Sequence, residues 1–270
     1  GSEIPIAGLI GDQQAALFGQ LCTEKGMVKN TYSTGNFIMM HTGDKPVFAK
    51  KNLLATIALK INGKITYALE GSVFDTGSVI QWLRDGLGII ESSSEIEQLA
   101  NTEKDNGGVY FVPAFSGLGT PYWNENARGT VFGITIGTTN GHIARAALEA
   151  IVFHSMDVIV EMKQSVDIDI TELRVDGGVV VNDTLLQTQA DLIDSPVVRL
   201  DRSVVAALGI GYLAGLAIGY WSNFDEIKLF RNVERTFYKD DDVEKINKSY
   251  RVWKKAVERS LDWIDVVKKA

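Results

Sequence analysis

Cysteine and histidine are scarce in this 270-residue chain, which contains one cysteine and three histidines. Cys22 has no partner for an internal disulfide, and a lone cysteine excludes a zinc site built from several thiolates. His41, His142 and His154 are too scattered along the sequence to suggest a histidine-ligated metal centre. We therefore predict no metal-ligating residues from these residue types, and we expect a reducing, cytoplasmic setting.

Positive charge is also in short supply, because 27 basic residues face 34 acidic ones and give a net charge of −7. This acidic balance argues against nonspecific binding to nucleic acid or to an anionic membrane surface, since both attract cations. The fractions of hydrophobic (45%) and charged (23%) residues are ordinary for a globular protein with a sizeable core. They exclude a disordered or collagen-like chain.

Long hydrophobic runs are nearly absent, but one run has the features of both a buried helix and a membrane span. Residues 204–221 contain no charge, and Gly211, Gly215 and Gly219 have the spacing of paired transmembrane helices. The run has only the minimum length for a span, and its four glycines weaken its helix preference. A buried helix of a globular domain is favoured over a membrane span. The chain also begins without a basic region and a long apolar stretch, so we expect no signal peptide.

The first part of the chain alternates apolar runs with turn signals. We predict a short strand at Ile6–Ile10, a helix at Gln13–Leu21 and a strand at Thr31–Met40. The dipeptide Asn62-Gly63 predicts a two-residue β-hairpin between two further strands. Residues 92–104 are polar and predict a surface helix.

The second part of the chain alternates strands with longer helices. Residues 140–164 predict a long helix, on whose apolar face His154 is favoured as a core residue over a ligand. An apolar stripe from Val243 to Ile264 predicts a terminal helix, with Asp241 and Glu244 as its capping box. The pattern indicates the α/β class, a mixed sheet covered by helices.

Two segments are expected from the change in composition along the chain. Residues 1–231 form the main domain, and residues 232–270 form a charged linker with the terminal amphipathic helix. The helix could pack on this same domain or on a partner, and the sequence does not choose between them.

Three glycine-containing turns could carry chemistry: Gly11–Gln14, Ser33–Asn36 and Asp176–Gly178. Turns of this kind expose backbone N–H groups to which phosphate oxygens bind. Each signal is weak alone, and the chain has neither a Walker A motif nor a GxGxxG fingerprint. Taken alone, Asp12 suits a helix cap better than a catalytic base.

Together and in order, these segments resemble the glycerol kinases of the FGGY family of carbohydrate kinases. Gly11–Gly19 is similar to their catalytic segment, Asn30–Gly35 to their second phosphate-binding turn, and Arg174–Gly178 with Asn182 to their adenosine-binding turn. The other similar segments are Ala68–Gly71, Gln81–Asp85, Val112–Phe115, Gly117–Trp123, Ala127–Gly129 and the signature at Gly129–Glu149.

The resemblance implies an actin-like (ribonuclease H-like) ATPase domain, the C-terminal one of two. It implies ATP-dependent phosphorylation of glycerol in the full-length enzyme, with Mg²⁺ as cofactor. No segment matches the N-terminal domain, which holds the first phosphate turn and three of the glycerol contacts. We therefore expect this half alone to be inactive. Its expected partners are glycerol, ATP, the N-terminal domain and further copies in a homo-oligomer, with neither nucleic acid nor a membrane span.

The resemblance also implies roles for particular residues. Asp12 is the expected general base, and it binds glycerol together with Gln13 and Phe37. The residues expected along the nucleotide are Thr34 and Gly35 at the phosphates, Gly77 and Gln81 beside them, and Gly178 and Asn182 at the adenosine end. Two alternatives stay open: a kinase for another sugar or polyol, and a non-kinase actin-like nucleotide-binding module.

Overall fold

The computed structural model describes residues 3–49, 52–202 and 204–264. Most of its strands belong to one seven-stranded sheet, and two short strands form a separate pair. The strands are β1 (Val28–Tyr32), β2 (Asn36–Gly43), β3 (Leu54–Ile61), β4 (Lys64–Val73), β5 (Tyr110–Val112), β6 (Thr130–Phe132), β7 (Leu173–Asp176), β8 (Val197–Leu200) and β9 (Val233–Phe237).

The large sheet is mixed, with the order β3-β4-β2-β1-β7-β8-β9, while β5 pairs with β6. The neighbours among β1 to β4 are antiparallel, and two of these pairs, β1–β2 and β3–β4, are hairpins. Strands β1, β7 and β8 run parallel, and β9 returns antiparallel to β8. The centre of the sheet is therefore where the hairpin half meets the parallel half, and the predicted mixed sheet is confirmed.

Helices cover both faces of this sheet, as the alternation along β2 shows. Ile38 and Met40 pack into the main core with the longest helix, whereas Met39, between them, packs against Leu17 on the other face. The helices are α1 (Asp12–Gly19), α2 (Gly77–Asp85), α3 (Glu95–Ala100), α4 (Asn140–Ser165), α5 (Asp183–Leu192), α6 (Val205–Ala217), α7 (Phe224–Lys228) and α8 (Glu244–Ser260), with a 3₁₀ turn at Gly178–Val181.

The uncharged run of the sequence forms α6, which packs against α1 rather than against the sheet. A Cβ on Gly209 would overlap the Ala15 carbonyl oxygen, so the two backbones touch at this crossing. Its buried residues, Val205, Gly209, Tyr212 and Gly215, share one face. Within the described residues, no helix has the length and apolar character needed to cross a membrane.

Two predicted strands are wrong. Residues 6–10 form no strand: Ile6 and Leu9 are over 90% exposed, at 93% and 92%, because the segment runs beside α6 with no strand to pair with. The stretch 31–40 is not one strand but a tight hairpin, in which β1 ends at Tyr32 and β2 begins at Asn36. The hairpin at Asn62-Gly63 is confirmed, with a positive φ at both residues.

The terminal helix is confirmed, but its capping box is wrong. Helix α8 begins at Glu244 with Val243 as its N-cap, and no side chain caps it. Trp253 and Val257 are fully buried in the main core with α4, so the helix packs on this domain. Residues 233–237 of the expected linker form β9. The division at residue 231 stays a prediction, and residues 265–270 of the second segment lie outside the described residues.

Candidate functional site

A cleft of about 580 Å³ opens beside the end of the β1–β2 hairpin. Its walls come from the hairpin turn, α2, the start of α3, and the 3₁₀ turn after β7. A volume of this size is typical of a small-molecule or cofactor site. Five residues predicted to bind nucleotide line it: Thr34, Gly77, Gln81, Gly178 and Asn182. The sixth, Gly35, is buried at the hairpin turn and is not among the lining residues.

The hairpin turn at residues 33–35 is held by the helix beside it. The N–H of Thr76 donates to the Thr34 carbonyl at 2.9 Å, and the N–H of Gly77 donates to the Ser33 carbonyl at 2.9 Å. The N–H groups at the start of α2 therefore donate to carbonyls of the turn and are not free to bind a ligand. Within the described residues, the N–H groups of Thr34 and Gly35 have no hydrogen-bond acceptor. The free donor at this edge of the cleft is the Thr34 N–H, which belongs to the turn and not to the helix.

A second turn, after β7, forms the far wall of the cleft. Gly177 has a φ of +100°, and a Cβ there would overlap the Tyr32 carbonyl oxygen, so both conformation and space require glycine. A Cβ on Gly178 would meet nothing within 4 Å, which leaves this backbone open to a ligand. Asn182 caps α5, because its side-chain oxygen accepts from the Leu185 N–H at 2.8 Å. Its amide nitrogen is buried without a partner.

Two of the three predicted substrate residues, Asp12 and Gln13, lie at the start of α1, and the third, Phe37, is on β2. Asp12 is the first residue of that helix and is exposed, and Gly11 is the N-cap. The Asp12 carboxylate accepts from the Gln13 backbone N–H at 2.8 Å and from the Gln13 side-chain amide at 3.1 Å. It does not cap the helix.

A buried lysine, Lys29, contacts two of these residues, and the sequence analysis did not predict it. The Lys29 ammonium donates to the Gln13 side-chain oxygen, to the Thr31 hydroxyl at 3.0 Å and to the Phe37 carbonyl at 2.9 Å. Lys29 has no exposed surface. Burial lowers its pKa to about 8, against the opposing pull of nearby carboxylates, of which that of Asp176 is the strongest.

Asp176 lies at the end of β7, where it is buried. Its carboxylate accepts from the Gln20 side-chain amide at 3.0 Å. Burial raises its pKa, while Lys29, Gln20 and Thr31 act in the opposite direction. Polar contacts thus connect Asp12 through Gln13, Lys29 and Thr31 to Asp176, which precedes the turn at Gly177.

Sequence reasoning also missed the contribution of α3 to the cleft. Residues 92–104 predict a plain surface helix, but only 95–100 are helical, and Ser93, Ser94, Ile96 and Glu97 line the cleft. Glu97 accepts from the Thr184 N–H at 2.7 Å, which ties α3 to α5 across the cleft wall. No local signal marks these residues, since the fold alone brings them there.

Two other polar residues that are buried, Asp75 and His154, have structural partners. Asp75 is buried and accepts from the Ser78 hydroxyl at 2.9 Å and the Phe115 N–H at 3.0 Å, so it fixes a loop. His154 is a core residue, as predicted, and its Nε2 donates to the Thr120 carbonyl at 2.9 Å. A second cavity, of about 310 Å³, lies between α1 and the β3–β4 hairpin and contains no predicted site residue. The described residues include no cluster of three or more His, Cys, Asp or Glu side chains suited to a metal ion.

Comparison with known proteins identifies related chains over nearly the whole length. The family model of the C-terminal domain of the FGGY carbohydrate kinases matches residues 28–218. The glycerol kinase of Burkholderia ambifaria is 53% identical over 264 residues, which are 98% of this chain and 53% of that protein. The glycerol kinase of Burkholderia pseudomallei is similar to the same extent, 53% over 264 residues. The chain spans about half the length of the curated relatives it matches.

Solved structures agree in fold. The crystal structure of Plasmodium falciparum glycerol kinase with ADP superposes with a TM-score of 0.88 at 38% identity, over 96% of this chain and 52% of that one. The ligand-bound xylulose kinase of Lactobacillus acidophilus gives a TM-score of 0.81 at 20% identity, over 92% and 50% of the two chains, which shows the fold alone. The predicted actin-like α/β fold is confirmed. Through the match to its C-terminal domain, this chain belongs to the FGGY family of carbohydrate kinases.

Proposed function

We propose that this chain is the C-terminal half of a glycerol kinase, which transfers the γ-phosphoryl group of ATP to a hydroxyl of glycerol and forms glycerol 3-phosphate. The observation that carries the proposal is the convergence of five predicted nucleotide residues on one cleft. The 53% identity to a curated glycerol kinase over 98% of the chain supports this substrate over another sugar.

The nucleotide would lie in the cleft with its adenosine at the turn after β7. Gly178 leaves room there, and the unpartnered side-chain amide of Asn182 is a hydrogen-bond donor that such a ligand would satisfy. The free N–H of Thr34, which lines the cleft, suits a phosphate oxygen, as backbone donors at tight turns do, and Gly35 would complete this turn from its buried side. Mg²⁺, when bound, neutralises charge on the transferring phosphates, and it commonly binds through those phosphates with few protein carboxylates.

The glycerol would lie beside Asp12, at the start of α1. The Asp12 carboxylate is exposed, so it can accept the proton of the attacking hydroxyl. Gln13 would hold a second hydroxyl and the Phe37 ring would contact the carbon chain. In this mechanism the protein mainly positions the reactants and stabilises charge, as in other phosphoryl transfers.

The remaining walls of the site would come from the N-terminal domain of the same enzyme. Asp12 and the cleft are open on this chain, so the second domain would hold glycerol from the other side and exclude water. A cytoplasmic location and a homo-oligomeric state complete the proposal, and the single cysteine fits a reducing compartment.

A coupled assay on the intact two-domain enzyme tests this function. ADP release is measured with glycerol, xylulose and ribulose as acceptors at saturating ATP. We expect activity with glycerol. Activity with a pentulose but not with glycerol would replace the proposal by the sugar-kinase alternative, and ATP hydrolysis without any acceptor preference would favour the non-kinase module.

A further inference from the structure

Lys29 is unusual because it is a fully buried lysine that forms no direct ion pair with a carboxylate of the described residues. All three of its ammonium hydrogens are directed at neutral oxygens, those of Gln13, Thr31 and Phe37. Burying an ammonium group without a salt bridge is costly, and methionine would fill the same space in a core at lower cost. The stability of the fold therefore gives no reason for a lysine at this position.

The acceptors of Lys29 show what the lysine does. Two of them belong to Gln13 and Phe37, which with Asp12 are the proposed glycerol contacts. Gln13 carries the effect one step further, because its side-chain amide donates to the Asp12 carboxylate at 3.1 Å while its oxygen is fixed by Lys29. Without Lys29, the Gln13 amide could rotate, and its nitrogen and oxygen could exchange places.

We infer that Lys29 is a positioning residue for the acceptor substrate. Its ammonium group holds the Gln13 side chain and the Phe37 carbonyl in fixed positions relative to Asp12. This inference rests on the proposed function for the identity of the substrate, whereas the contacts of Lys29 are independent of that function. Lys29 touches neither reactant and acts through Gln13. The ammonium form supplies three donors for three acceptors, whereas the neutral amine supplies only two.

The groups that face Lys29 come from three sides. Asp12 and Cys22 lie on and after α1, Glu70 lies on β4, and Asp176 lies on β7. Burial lowers the pKa of Lys29 to about 8, and these four groups oppose that shift. Burial raises the pKa of Cys22 to about 12, and it also raises the pKa values of Glu70 and Asp176. The ammonium form therefore prevails at neutral pH and is lost as the pH passes about 8.

Kinetics of the intact two-domain enzyme provide the first test, with Lys29→Met, Gln13→Ala and the double variant. We expect Lys29→Met to raise KM for glycerol by about 10- to 100-fold while KM for ATP changes by less than about twofold. In the Gln13→Ala background, Lys29→Met should have much less effect, because the residue through which it acts is gone. The control is Arg199→Met, which removes another buried cation of the same sheet; its partners, Asp183 and Glu234, are not glycerol contacts, so KM for glycerol should stay unchanged.

Additive effects of Lys29→Met and Gln13→Ala, or an unchanged KM for glycerol in a folded Lys29→Met enzyme, would overturn the inference. If the wild-type enzyme does not phosphorylate glycerol, it is the proposed function that fails, and the second measurement still decides the role of Lys29.

That measurement is the NMR resonance of the Gln13 side-chain amide in the 270-residue chain. Its chemical shift should move with a midpoint near pH 8 in the wild type, keep that midpoint in Arg199→Met and lose it in Lys29→Met. The wild-type titration alone is decisive if Lys29→Met does not fold. A Gln13 amide shift that does not change between about pH 7 and 9 would show that Lys29 does not hold it.

Discussion

Asn182 has two roles, because it stabilises the domain as a helix cap and lines the proposed nucleotide site. Substitutions can separate these roles. Its side-chain oxygen caps α5 by accepting from the Leu185 N–H at 2.8 Å, while its buried nitrogen has no partner and the residue lines the cleft. Asn182→Ala removes both functions. Asn182→Asp keeps an oxygen acceptor for the cap and removes the donor.

The expected magnitudes follow from these contacts. Loss of an asparagine N-cap costs about 0.5–2 kcal/mol of stability. At roughly 2–4 °C per kcal/mol for a domain of this size, Asn182→Ala should lower Tm by about 1–8 °C. Asn182→Asp should leave Tm within about 2 °C of the wild type. The lost donor is worth about 0.5–1.5 kcal/mol, so both variants should bind ADP about 2- to 10-fold more weakly.

Thermal denaturation and calorimetric titration with ADP measure the two effects separately. Asn223→Ala is the matched control, because Asn223 caps α7 through the Asp225 and Glu226 N–H groups and lies outside the nucleotide cleft. It should lower Tm without changing ADP affinity. Wild-type ADP affinity in Asn182→Asp would refute the proposed contact, and a Tm loss in Asn182→Asp as large as in Asn182→Ala would refute the capping argument.

Four further outcomes are expected. The chain alone should bind ADP weakly, because half of the cleft is absent, and calorimetry at millimolar ADP should still detect heat. The chain alone should not phosphorylate glycerol, and Asp12→Asn in the intact enzyme should lower kcat by about 10²- to 10⁴-fold with ATP binding retained; near-normal kcat would exclude Asp12 as the base. Gly209→Ala should destabilise the domain, because the new methyl group overlaps the Ala15 carbonyl. Gly211→Ala, in the same helix, should stabilise the domain by about 0.5–1 kcal/mol, because a Cβ at this position meets nothing. Equal Tm shifts of the two variants would refute this. Burial raises the pKa of Glu149 to about 7 from its ordinary value of 4.5. The contribution of Glu149 to the free energy of unfolding is therefore full below pH 4.5 and is lost as the pH rises towards 7. Urea denaturation between about pH 5 and 8 should show this decrease in the wild type and not in Glu149→Gln.

Local chemistry made part of this architecture predictable. The turn at Asp176–Gly178 follows a short apolar strand, and Gly177 is required there by its φ of +100°. Asn62-Gly63 fixes its hairpin for the same kind of reason, since both residues adopt positive φ. Signals of this kind lie within a few residues of the structure they determine, so a single sequence contains them.

Long-range packing accounts for what the sequence did not predict. Ile6–Ile10 has the composition of a strand but lies along α6, about 200 residues later in the chain. Lys29 looks like one polar residue in a strand until the fold brings Gln13 and Phe37 to its ammonium group. Three-dimensional proximity of this kind leaves no local pattern to recognise.

The position of β9 and α8 has a consequence for folding during synthesis. Phe237 and Trp253 belong to the same core as α4, which ends at Ser165. The edge of β8 also stays unpaired until residues 233–237 have left the ribosome. The domain therefore cannot complete its core progressively from the N-terminus. Until residues 233–257 are synthesised, the apolar surface that Phe237 and Trp253 cover and the edge of β8 stay exposed, and exposed surface of this kind promotes aggregation.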